Sequence, residues 1–241
     1  MLIHSGFSFA AACGAYFFSV SAVNHCTVTN TTVVQGGLIG YVFGQGIASN
    51  LNQTDCPTFY YGSILTMIAR VEFQNVTFSI SAPEMMKTFT NLYVFADSEI
   101  KFTDVFSTVF QVPSTHYIYI SNSKYYIARM YFNIISAKTF ITVIGDGLVE
   151  DIFVAEINTK YFATVVFNSH LTLRNVKMTN PNIYGGLVSA SRMCTVTVSS
   201  ISISGGRVES LAASFHSLVR MEGIVMENIR GDALVNAYLE R

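Results

Sequence analysis

The sequence predicts an all-β chain wound into a parallel solenoid, and three observations carry that expectation. The first is a spacing. In LTLRNVKM at 171–178, Leu171, Leu173, Val176 and Met178 follow apolar-x-apolar-x-x-apolar-x-apolar, so two stretches of strand-like alternation meet at a two-residue corner. The second is recurrence. Val71, Phe73, Val76 and Phe78 repeat the spacing, as do Tyr125, Ile127, Met130 and Phe132, then Val196, Val198, Ile201 and Ile203, then Val219, Met221, Ile224 and Met226. The third is composition. Phe, Tyr, Val and Ile swell an apolar fraction of 51%, whereas the good helix formers never make an amphipathic run of more than a turn or two.

The first apolar position of each unit serves as its marker: Phe7, Val28, an ill-defined unit near Ile47, then Val71, Ile100, Tyr125, Leu148, Leu171, Val196 and Val219. The step is about 24 residues, the length of one solenoid coil. One longer step contains SAPEMMK at 81–87, where Pro83 suits an excursion at a corner. A third apolar segment precedes the markers, at Val94-Phe95, Ile118-x-Ile120, Val165-x-Phe167, Val188-x-Ala190, Ala213-x-Phe215 and Val235-x-Ala237. Three short strands per coil make a triangular section, and parallel crossovers prefer the right hand, so the expectation is a right-handed parallel β-helix of about ten coils. The second corner residue is successively Asn75, Asp104, Arg129, Ile152, Asn175, Ser200 and Gly223. Asn, Asp and Gly tolerate a left-handed backbone, and stacked Asn side chains can bond from coil to coil.

Residues 1–241 read as one domain, and the last unit, LVNAYLER at 234–241, stops before its two-strand motif. A segment of a longer chain, or a solenoid that stacks on something, is therefore expected. Residues 1–22 carry two readings. GFSFAAACGAYFFSVSAV at 6–23 is uncharged and Val20-x-Ala22 suits a signal-peptidase site, so the stretch is a signal or anchor segment. Alternatively it is the first coil: Tyr16, Val20-Ser21-Ala22 and Cys26-Thr27-Val28-Thr29 recur as Tyr184, Val188-Ser189-Ala190 and Cys194-Thr195-Val196-Thr197, all at an offset of 168 residues.

The small-residue corners entering a strand, Gly36-Gly37-Leu38-Ile39, Gly185-Gly186-Leu187-Val188 and Asp232-Ala233-Leu234-Val235, resemble the GGA-(I/L/V) element of chlamydial polymorphic membrane proteins and of similar repeat proteins of protists. The companion FxxN element is not reproduced, Phe73-Gln74-Asn75 being one residue short. At the level of the fold, residues 15–241 resemble the right-handed parallel β-helix (pectin-lyase-like) superfamily, which holds both polysaccharide-cleaving enzymes and non-catalytic surface proteins. The resemblance implies a secreted or surface-exposed, often adhesive protein.

A net charge of −1 with 12% charged residues excludes a disordered chain and provides no basic field for nucleic acid. Membrane contact is expected only through an N-terminal or missing anchor. Cys13, Cys26, Cys56 and Cys194 form no CxxC pair, so small core residues with at most one local bridge are expected, and no metal or cofactor. No catalytic residue is nominated. The outward positions of the third strand, read as Val94, Tyr119, Val143, Val166, Ser189, Ser214 and Asn236, cannot ionise near neutrality. One unit is irregular: IGDGLVEDIFVAEI at 144–157 places Glu150 where other units are apolar. Asp146, Glu150 and Asp151 then form either a cation site or acid–base pair, or a bulge or register shift that turns Glu150 outward. In YIYISNSKYYIARMYF at 117–132, Tyr117, Tyr119, Tyr126 and Tyr131 are expected to face outward, as a ligand face for sugar or protein or as partner-free sheet surface. Sequons at Asn30 and Asn52 are glycosylation candidates, while Asn75 falls on the corner ladder and is discounted.

The function expected is a non-catalytic structural or adhesive module that meets a protein or glycan at a side face or an uncapped end, with self-stacking as one form of contact. The alternatives are a carbohydrate-active β-helix enzyme, lyase or hydrolase, and a carbohydrate-binding module.

Overall fold

A computed structural model describes residues 14–29, 39–55, 63–79, 92–95, 97–231 and 235–238. The described residues contain no helix and form a parallel β-solenoid of about seven turns, against the ten coils expected from the whole chain. Phe7, Asn30, Cys13, Cys56 and the segment 81–87 lie outside the described residues.

Four-residue and ten-residue strands alternate. The short strands β1 (Gly14–Phe17), β3 (Ile39–Val42), β5 (Ile64–Met67) and β7 (Leu92–Phe95) pair in parallel and in sequence. The long strands β2 (Val20–Thr29), β4 (Gln45–Thr54) and β6 (Arg70–Ser79) do the same beside them. Both series run into β8 (Glu99–Val166), an extended stretch that passes through several turns without a break. The series resume with long strands β9 (His170–Thr179), β11 (Thr195–Ser204) and β14 (Leu218–Glu227), and with β10 (Pro181–Ser191), β13 (Ala212–Phe215) and β15 (Val235–Tyr238) in the short-strand series. A two-residue strand, β12 (Arg207–Val208), pairs with the start of β10.

Each separate ten-residue strand bends at its sixth residue, which the paired registers skip. Those residues have positive φ: Asn50, Asn75, Asp104, Arg129, Asp151, Asn175 and Ser200 down the body of the rod, with His25 and Gly223 in the end rungs. The amide ladder forms as expected. Asn75 Nδ2 donates to Asn50 Oδ1 at 2.6 Å, Asn50 donates likewise to Asn24, and Asn175 donates to Asp151. One corner is displaced. The bend falls on Asp151 rather than Ile152, and Gly147 rather than Leu148 pairs with Leu171. This one-residue shift puts Glu150 opposite Arg174 on the outer face and leaves Val149 and Ile152 inside.

The core is a set of columns. Phe73, Phe102, Ile127, Val149, Leu173 and Val198 are fully buried in one of them. Tyr41, Phe73 and Phe102 meet edge to face at 6.0 Å steps, and Tyr117, Phe140 and Phe162 stack at 5.6 and 4.7 Å. Each side chain buried in this way contributes about 1.5–3 kcal/mol as an upper estimate. Two glycines make room for tyrosine rings, Gly147 one coil on from Tyr125 and Gly46 in the same coil as Tyr41. A Cβ on Gly147 would lie 2.2 Å from the Tyr125 carbonyl oxygen and 2.5 Å from its ring, and one on Gly46 would lie 2.4 Å from the Tyr41 ring. This pairing explains why the N-terminal units resist sequence alignment: Val71 pairs with Gly46, which pairs with Ser21, so the markers expected at Val28 and near Ile47 are displaced.

Two further placements differ from expectation. Val94 and Val143 point inward and are fully buried. Phe167 and Phe215, expected in the core, are exposed, Phe167 just past the end of β8 and Phe215 as the last residue of β13. Cys26 is disulfide-bonded, and Cys194 is a buried free thiol.

Candidate functional site

The first half of each long strand presents alternate residues outward, and in-register stacking turns those residues into columns. The first column reads Gln45, Arg70, Glu99, Lys124, Asp146, His170 in successive rungs. Its signs alternate. Arg70 Nε donates to Glu99 Oε2 at 2.8 Å, and Asp146 Oδ1 accepts from the His170 backbone N–H at 3.0 Å, with the His170 ring Nδ1 at 2.9 Å. The next column contains the Glu72–Lys101 ion pair, and the one beside the bend contains Glu150–Arg174. At the bend itself Arg129 grips Asp104 with two bonds, at 2.6 and 2.7 Å.

Between these columns runs an open groove of about 960 Å³, mostly apolar in its lining, with Val20, Ile47, Val71, Glu72, Lys124 and Tyr126 along it. Its charged walls are built from the ladders. Glu150 lies outside the lining and is joined to it through Tyr126. Its carboxylate is 9% exposed, accepts from Arg174, and accepts from the Tyr126 hydroxyl at 2.6 Å. The Arg174 guanidinium, then the Tyr126 hydroxyl, hold the Glu150 carboxyl below the usual range, and the same bond pushes the Tyr126 phenol up. Lys101, with help from Gln74, holds Glu72 down in the same way, and Arg129 holds Asp104 down. These are ionised groups fixed from coil to coil.

The three carboxylates at 146, 150 and 151 bond to different partners. Asp146 turns to His170, Glu150 to Arg174 and Asp151 to Asn175. Among the described residues no three His, Cys, Asp or Glu side chains sit where they could hold a metal ion.

The tyrosines do not share one face either. Tyr117 is fully buried, contrary to expectation, because Tyr117 and Ile118 both enter the core and the alternation breaks there. Its ring packs on Phe132 and Phe140. Tyr119 is half-buried beside the His116 ring, and Tyr126 lies in the groove bonded to Glu150. Tyr131 is 47% exposed, but its ring stacks on Phe106 at 5.1 Å and 10°. Rings stacked along the rod axis turn faces toward each other, so sugar stacking is left only their outer faces. Asn52 lies in strand β4 rather than in a loop. Its side chain is half-buried, and Thr54 Oγ1 donates to Asn52 Oδ1 at 3.4 Å.

The ladders escaped sequence reasoning, although the signal was present: aligning units by coil shows Arg70, Glu99, Lys124 and Asp146 in one column with alternating charge. A second missed feature is a row of exposed apolar residues, Phe18, Phe43 and Ile68, at the corner before the long strands.

The fold and its groove define a parallel β-solenoid whose outer charges tie neighbouring coils. Compared with protein-family models, curated proteins and solved structures, the chain matches none of them. Among the described residues no helix is long and apolar enough to cross a membrane.

Proposed function

We propose that the chain is a non-catalytic structural or adhesive module of a secreted or cell-surface protein, contacted by a protein or a glycan on its side faces or ends, with stacking of its own ends as a further contact. One observation supports this reading above others: the carboxylates of this face bond to a neighbouring coil. Glu72, Glu99, Asp146 and Glu150 each have a cationic or imidazole partner one rung away. A general acid or base works best when its pKa lies near the working pH, and Glu150 is held in the opposite direction. The disulfide at Cys26 favours an oxidising compartment. The bend in each long strand, added to the short strand, argues for three strands per coil, and the parallel crossover for a right-handed coil of the pectin-lyase-like type.

A second reading, a carbohydrate-active enzyme or a carbohydrate-binding module, draws on the groove, whose volume and Tyr126 suit an extended chain. A panel of neutral and acidic polysaccharides, scored for binding and for release of reducing or unsaturated ends, separates the two. Binding without product, or neither, is the expected result. Product release abolished by Glu150→Gln would replace the first reading with the second.

A further inference from the structure

The corner between each short strand and the following long strand forms a second column of left-handed residues. From one end it reads Phe18, Phe43, Ile68, Asp97, Asn122, and toward the other it carries Phe167 with Asn168, then Arg192 with Met193, then His216. The middle is polar, where Asn122 Nδ2 donates to Asp97 Oδ1 at 2.7 Å. Both ends expose apolar side chains, the second among Asn168, Arg192 and His216: Phe18 is 78% and Met193 70% accessible, and Phe43, Ile68, Phe167 and Leu218 are all more than two-fifths exposed. A left-handed backbone is unfavourable at a non-glycine residue; Phe43 has only the stacked Phe18 ring to set against it, and Ile68 is 41% exposed. Large apolar side chains in strained, solvent-facing positions mark a surface kept for contact.

Beside this row runs the alternating ladder Arg70, Glu99, Lys124, Asp146. A ladder of alternating sign with an even number of members is complementary to itself read backwards. We propose that this edge is an interface between two copies of the chain, packed side by side and antiparallel about a two-fold axis between the Glu99 and Lys124 rungs. That operation sets Glu99 against the partner's Lys124 and Arg70 against the partner's Asp146. It also sets Phe43 against the partner's Phe167 and Phe18 against the partner's Met193, so each apolar end covers the other. Arg192, whose guanidinium lies 4.3 Å above the Phe167 ring, is carried to the aromatic end of the other copy, beside Phe18 and Phe43. The contact spans seven rung spacings, roughly 35 Å, by the roughly 17 Å of a five-residue strand arm. It buries about 1,200 Å² in total, within the range of specific interfaces. A two-fold contact of this kind closes at the dimer. The inference names a partner for the scaffold reading above and rests on it, but its test involves no glycan or catalysis, so either can fail alone.

The test is sedimentation equilibrium of the whole chain between about 1 and 100 µM, with a dissociation constant in the micromolar range expected. Phe43→Asp should weaken association about 100-fold or more. Lys124→Glu and Glu99→Lys should each be monomeric alone, because each sets like charges together across the axis, and an equimolar mixture should form a heterodimer by restoring opposite pairs. Recovery in the mixture also shows that both variants are folded. A monomer at the highest concentration, an open-ended series of oligomers, a dimer indifferent to Phe43→Asp, or a mixture that stays monomeric would each overturn the proposal.

Discussion

Two corner columns share one backbone conformation and use it differently. At the bend inside the long strands, φ is 54° at Asn50, 51° at Asn75, 59° at Asp104 and 52° at Asn175. The residues there tolerate that geometry, and their side chains bond from coil to coil. At the corner before the long strands, φ is 48° at Phe18, 54° at Phe43 and 50° at Ile68, yet the residues are aromatic or β-branched, for which the left-handed region is least favourable. Phe18 and Phe43 stack on each other at 4.9 Å, a partial return. The same backbone cost is offset within the fold at the first corner and remains open at the second, which is why the first reads as scaffold and the second as contact surface.

The interior sets the scale against which the corners are measured. Gly147→Val drives a Cβ into the Tyr125 backbone and ring and should destabilise by about 3 kcal/mol in urea melts followed by circular dichroism. A loss under about 1 kcal/mol would mean that the tyrosine–glycine columns are not close-packed. At the scaffold corner, Asn75→Ala removes the bond to Asn50 and the tolerance for positive φ together, and should cost about 1–2 kcal/mol. At the contact corner the sign should reverse. Ile68→Asn relieves a strained β-branched residue and supplies an amide one rung from Asp97, so the monomer should gain about 1 kcal/mol. Stability would then rise while self-association falls. If Ile68→Asn and Asn75→Ala destabilised equally, the two columns would be equivalent and the contrast would collapse.

What could be read in the sequence follows the same division. Strand alternation and the corner spacing were legible because side-chain direction depends only on strand period and on which residues tolerate a left-handed bend. Asn75, Asp104, Asn175 and Gly223 were found on that basis. Glu150 looked anomalous only because Leu148 mimics a marker, and pairing of Gly147 with Leu171 removes the anomaly. The N-terminal rungs were hidden by Ser21 and Gly46, small residues that make sense only beside the ring of Tyr41. Tyr117 was misplaced because alternation carries no information where two consecutive residues turn inward. The charge ladders and the Phe18–Phe43–Ile68 row became visible only when residues some 25 positions apart were stacked in register.

The smallest effect is set by pH, and it separates the columns without mutating either. Burial, and then the positive charge of Lys138, hold the His116 imidazole below the usual histidine range, with Nδ1 2.8 Å from Thr142 Oγ1. A histidine depressed in the folded state takes up its proton first in the unfolded chain, so stability is lost as pH falls from about 6.5 toward the folded value. Glu72, Asp104 and Glu150 are held down by Lys101, Arg129 and Arg174. Their stabilisation is complete above the unfolded carboxylate pKa of about 4 and is lost as pH falls through the folded values. The melting temperature should therefore be level above about pH 7, decline gently below it, and fall more steeply below about pH 4. His116→Gln should flatten the gentle part alone. Because Asp104 belongs to the polar corner and the apolar row between Phe18 and Ile68 contains no ionisable side chain, Ile68→Asn should raise the whole curve without altering its shape. A change in the acid limb of that variant would show that the two corners are coupled and that the apolar row is part of the scaffold after all.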